Sequence, residues 1–281
     1  MVDIGSFAFV FVAGLVTAFA TGLGAVPFFF VRHIGDRWNV VLWGVASGIM
    51  LSASVFGLVL EALGEYVQVS LAGVSADPIP GRTLVLLSIG LVAGAVLVFV
   101  ANHVIEVTEV HPKRYEQADF KKLLLILGVL TVHSFPEGVA VGVAFADLGL
   151  GGGVELFGFA VPVLAVFMTV AISIHNVPEG VAISIPLRAM GVPNWRLVWW
   201  SVFSSLPQPV GAVIAFYFVN VAREFLPAGF GFAAGAMVFL VLTEFIPEAV
   251  ALGDGLPKGG RPELVAGLVA GVSVMVPLLF V

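Results

Sequence analysis

Two short stretches of this chain carry residues able to do chemistry: VHSFPEGVAVGVAF, from Val132 to Phe145, and IHNVPEGVAISIPL, from Ile174 to Leu187. Each sets a histidine four residues before a glutamate, His133 with Glu137 and His175 with Glu179, with a proline between them and a glycine just after. On a helix, residues four apart share a face, so each stretch offers an imidazole and a carboxylate side by side. The proline removes a backbone donor and frees the carbonyl four residues earlier, here those of Val132 and Ile174. Two neutral imidazoles and two carboxylates around one divalent cation sum to zero charge. Imidazole with carboxylate suits zinc, and also iron, manganese or cobalt, which ligand type alone does not separate. Because such ligands bind a metal in their deprotonated forms, metal entry would release protons.

These residues lie in an apolar chain. Of 281 residues, 60% are hydrophobic and only 11% charged, and the mean hydropathy is +1.12. A water-soluble domain needs roughly a quarter of its residues charged, so the solvent of this chain is largely lipid. The absence of cysteine excludes disulfides and thiolate metal sites. The N-terminal run MVDIGSFAFVFVAGL has no Lys or Arg before it and reads as a first membrane span rather than a signal peptide.

A spanning helix needs about 20 mostly apolar residues. Eight segments qualify, at about 6–31, 40–63, 83–105, 123–146, 157–187, 195–221, 226–250 and 263–281. The expectation is an all-α polytopic membrane protein in a single transmembrane domain, 1–281, with eight transmembrane helices. Numbering the loops between spans, the odd ones hold Arg32, Arg37, Lys113, Arg114, Lys121, Lys122, Arg188, Arg196, Lys258 and Arg261, the even ones only Arg82 and Arg223. Basic loops stay cytoplasmic, which places both termini outside the cytoplasm. His133 follows Lys122 by eleven residues and His175 precedes Arg188 by thirteen. At about 1.5 Å per residue both lie near the midplane of a ~30 Å hydrocarbon core, on adjacent antiparallel helices. Ionisable groups there are costly, and their default reading is functional. The glycine after each glutamate lets a neighbouring helix come close.

The motifs resemble those of the ZIP family of divalent-metal transporters, in its bacterial GufA/ZupT-like branch. TGLGAVPFF (Thr21–Phe29), GIMLSASVFGLVLEA (Gly48–Ala62), SSLPQPVGA (Ser204–Ala212) and AGAMVFLVLTEFIPEA (Ala234–Ala249) extend the resemblance over the whole chain. It implies eight transmembrane helices in a ZIP-like bundle with both termini extracytoplasmic. It also implies a central site whose ligands carry over as His133, Glu137, His175 and Glu179, and transport of zinc, or of iron, manganese, cadmium or cobalt, toward the cytoplasm by alternating access. For a second metal site or the pathway the matching positions are Ser134, Asn176, Gln208 and Glu244. Here the chain departs from the family: Ser134 stands where Asn is common, Gln208 where Glu is usual, and Thr243 with Glu244 where an acidic pair is usual. With one carboxylate fewer, the second site is expected to be weak.

The divalent metal is expected as transported substrate, with no organic cofactor and no nucleic-acid partner. The lipid bilayer is the other partner, a homodimer is compatible with the sequence, and the expected location is a prokaryotic inner membrane. Two other classes use the same residues. An intramembrane zinc-dependent hydrolase would need a general base that the four ligands do not leave over, and a proton-coupled carrier of an organic solute would work in the presence of chelator. Trp195, Trp199 and Trp200 read as interface anchors.

Overall fold

The computed structural model describes residues 4–31, 34–64, 79–107, 133–151 and 153–276. The start of the expected fourth span, its basic loop, the Val132 carbonyl, Arg32 and His33 lie outside the described residues. Among the described residues eight helices follow one another: α1 (Ile4–Leu23), α2 (Asp36–Leu63), α3 (Gly81–Val107), α4 (residues 133–144), α5 (Val163–Ala189), α6 (Asn194–Val221), α7 (Arg223–Gly253) and α8 (Arg261–Met275). Among the described residues six helices are long and apolar enough to cross a membrane. The protein is an all-α polytopic membrane protein.

Local chemistry sets the ends of these rods. At the end of α5, Gly191 turns left-handed at φ 79°. The Val192 N–H then reaches back to the Leu187 carbonyl at 3.1 Å, and Pro193 prevents any continuation. The sequence expects a fifth span from 157, but α5 begins only at Val163. Before it a small antiparallel hairpin, β1 (Val154–Leu156) with β2 (Phe159–Val161), turns through Phe157 and Gly158, both at positive φ. Likewise 195–221 reads as one apolar stretch, yet α6 breaks after Ser204 and restarts at Pro207. Pro207 and Pro209 have no N–H to continue the ladder, so the chain takes a tight turn in which Gln208 N–H donates to Ser205 O. That turn presents Gln208 to the bundle interior.

Glycines spaced by four residues decide which helices meet. Gly90 and Gly94 of α3 face Gly231 and Gly235 of α7, and Gly44 and Gly48 of α2 face Gly267 and Gly271 of α8, so closely that a Cβ on Gly94 would lie 2.0 Å from the Phe232 carbonyl oxygen. In lipid, where apolar side chains gain little by leaving the solvent, close backbone approach of this kind holds helices together. The other four helices pack on each other beside these pairs, α1 against α5 and α6, and α4 against α6, while α2 borders α5. Outward the bundle shows large apolar side chains such as Phe19, Val92, Val96, Phe99 and Tyr217. They form the lipid-facing coat of a molecule whose polar groups are turned inward.

Candidate metal centre

The interior of α1, α4, α5 and α6 is where the polar residues gather. Thr17, Thr21, Ser134, Glu137, His175, Asn176, Glu179, Ser204, Ser205 and Gln208 are all buried. Unpaired groups in such a place are costly, so each must have a partner or a purpose. The glycines of the two motifs bring the walls together. A Cβ on Gly138 would meet the Gln208 carbonyl oxygen at 2.1 Å, and one on Gly180 the Thr21 carbonyl oxygen at 1.8 Å. Gly138 thus lets α4 lie against α6, and Gly180 lets α5 lie against α1.

Three of the four ligands expected from sequence come together. Glu137, His175 and Glu179 each turn one ligand atom into a common space, those atoms lying within 4.8 Å of one another. The His175 Nε2 atom is 3.3 Å from Glu137 Oε1. Among the described residues, both ring nitrogens of His175, Oε1 of Glu137 and Oε2 of Glu179 have no hydrogen-bond partner. Zinc–ligand bonds of 2.0–2.1 Å in tetrahedral geometry separate neighbouring ligand atoms by about 3.3 Å. The spacing and the unused lone pairs therefore fit a small dication held between α4 and α5.

His133 stands apart from these three. Its Nε2 atom lies 3.1 Å from Glu244 Oε1 and 3.2 Å from Asn102 Oδ1, which places its ring between α3 and α7. One turn along α4 separates it from Glu137 by about 6 Å of axis, enough to address different neighbours although the two share a face. Glu244 is aimed at it by a π-helical turn, Val241–Phe245, inside α7, a distortion often found at functional sites. Thr243, beside Glu244 in sequence, instead faces outward and donates to the Phe239 carbonyl.

The residues expected at a second metal position are engaged differently. Gln208 Nε2 donates to Glu137 Oε2 at 2.5 Å, and its Oε1 accepts from Thr17 Oγ1 at 2.6 Å and from Asn176 Nδ2 at 3.1 Å. Asn176 Nδ2 also donates to the Thr17 carbonyl at 2.7 Å. Thr21 and Ser205 exchange a hydrogen bond at 2.8 Å one turn further along. Thr17 and Asn102 are contributors that motif reading passes over. For Thr17 the only local hint is that Thr17 and Thr21 are polar residues four apart in the apolar stretch of α1.

Away from the centre, ion pairs link helix ends. Arg82 meets Glu224 at 2.6 Å, Arg223 meets Asp147, and Arg37 meets Glu263 at 2.8 Å.

Comparison with known proteins adds an independent line. The family described as ZIP Zinc transporter matches residues 111–278. Zinc transporter ZIPB of Bordetella bronchiseptica is 32% identical over 262 residues, covering 91% of this chain and 75% of that protein. Zinc transporter GufA of Myxococcus xanthus is 31% identical over 244 residues, covering 85% of this chain and 87% of that protein. Human zinc transporter ZIP11 is 38% identical over 138 residues, 49% of this chain. The chain spans only 39% of human ZIP11 and 33% of an Arabidopsis thaliana relative. A match over more than half of the chain, with bacterial relatives aligned along most of their length, makes this protein a member of the ZIP zinc transporter family.

Proposed function

We propose that this protein carries divalent metal cations, zinc foremost, across a membrane toward the cytoplasm. The observation that carries the reading is the buried trio Glu137, His175 and Glu179, whose facing atoms lack hydrogen-bond partners among the described residues and lie within 4.8 Å of one another. A buried carboxylate pair without a counter-charge is costly, and a dication supplies that charge. In this reading His133 is the fourth ligand, joining the trio when it leaves Glu244, so that two imidazoles and two carboxylates balance the ion. The names of the bacterial relatives, both zinc transporters, support zinc as the substrate.

The proposed direction follows from charge. With ten basic residues on one set of loops against two on the other, the basic side is cytoplasmic and both termini are extracytoplasmic. The setting proposed is the inner membrane of a prokaryotic cell. The helix pair α4–α5, which bears the site, would shift against the remaining helices to expose it alternately on the two sides.

The test is zinc uptake into proteoliposomes. The wild-type protein accumulates zinc, chelator abolishes the signal, and Glu137→Gln and His175→Ala reduce it to the level of empty vesicles. Undiminished uptake in both variants would remove the trio from the transport path.

A further inference from the structure

A buried amide has two orientations, and the end of Gln208 that faces Glu137 decides whether the carboxylate is held or repelled. The orientation is fixed from α1. The Thr17 carbonyl can only accept, so Asn176, 2.7 Å from it, must present its nitrogen there. The second proton of that nitrogen points to Gln208 at 3.1 Å, so Gln208 presents its oxygen. The Thr17 hydroxyl reinforces this at 2.6 Å, sharing its one proton with the Gly14 carbonyl at 2.7 Å. The Gln208 nitrogen is thereby turned to Glu137 Oε2, 2.5 Å away. Thr17, Asn176 and Gln208 are all 0% exposed, so water does not compete for these bonds.

We infer that Gln208 is a positioning residue that makes Glu137 a one-oxygen ligand and so favours four-coordinate zinc over larger, oxygen-seeking cations. The inference rests on the reading of Glu137 as a ligand of the transported metal. Its Oε2 is occupied by Gln208, and the free atom is Oε1, the one 3.3 Å from His175 Nε2. Zinc is satisfied by four single-atom donors. Manganese and calcium prefer more oxygens, and carboxylates often serve calcium with both. Turning Glu137 to offer both oxygens would break its bond to Gln208 and leave a buried N–H without an acceptor, which opposes the larger ions.

The experiment measures KM and maximal rate for zinc and for manganese in proteoliposomes. Gln208→Leu raises the zinc KM about tenfold, the lower end of what loss of an outer partner costs a metal site, and lowers the zinc-to-manganese preference to match. Thr17→Val touches no ligand and moves both quantities in the same direction by a few fold, while Thr17→Ser restores them. The inference is overturned if Gln208→Leu and Thr17→Val change only the maximal rate with the metal preference intact, or if Thr17→Ser fails to restore it. Glu137→Gln is the separate arm: zinc uptake persisting there overturns the ligand reading itself, and the role of Gln208 with it.

Discussion

Among the described glycines, Gly180 has the least room for a side chain. Replaced by alanine, its Cβ would stand 1.8 Å from the Thr21 carbonyl oxygen and 3.2 Å from the Gly24 Cα. The first distance is about 1.6 Å short of the 3.4 Å at which ordinary contact begins. Both atoms belong to backbone, and no rotamer relieves the overlap. Helices α1 and α5 must move apart, at a cost of about 1–3 kcal/mol for overpacking. Glu179 and His175 both sit on α5 and would be carried away from Glu137 of α4 by part of that displacement. A misplacement of ~1 Å at a reacting centre costs about 100-fold in rate. Gly180→Ala should therefore lower the thermal stability of the purified protein and cut zinc uptake by roughly two orders of magnitude. The control is Gly81→Ala, where an added Cβ meets nothing within 4 Å. Wild-type melting and uptake in Gly180→Ala, or equal damage in Gly81→Ala, would refute the steric reasoning.

Other outcomes follow from the same structure. Zinc at a hundred times its dissociation constant should stabilise the protein by about 2.7 kcal/mol, read as a rise in unfolding temperature in detergent, and His175→Ala should abolish the rise. Arg37→Ala should destabilise more than Arg82→Ala. Glu263, the partner of Arg37, is 8% exposed, with one oxygen already lacking a partner among the described residues, and stranding such a group costs roughly 1–3 kcal/mol. The Arg82–Glu224 pair is exposed on both sides, and losing it should cost at most about 1 kcal/mol. Denaturation of the two variants under identical conditions checks the order.

The sequence alone carried what depends on composition and on spacing within one helix. Apolar content against charge determined a membrane protein of helices, because a chain with so few charged residues cannot cover itself in water. The repeated His–Pro–Glu–Gly pattern pointed to Glu137, His175 and Glu179, which the structure brings together, because spacing by four fixes a shared face before any packing is known. Gly138 and Gly180 announced close helix contacts for the same reason, since small residues in lipid have little other use.

Tertiary structure decided the pairings between helices. His133 and Glu137 share a face of α4, yet one meets Glu244 and Asn102 while the other meets His175 and Gln208. Periodicity cannot distinguish these outcomes, because they depend on which neighbour lies beside each turn. The hairpin before α5 and the break in α6 were hidden in runs apolar enough to read as continuous spans. Thr17 took on meaning only through Gln208, 191 residues away, and Asn176, 159 away. Contacts at such separations arise from how rods pack, and local sequence pattern carries no record of that.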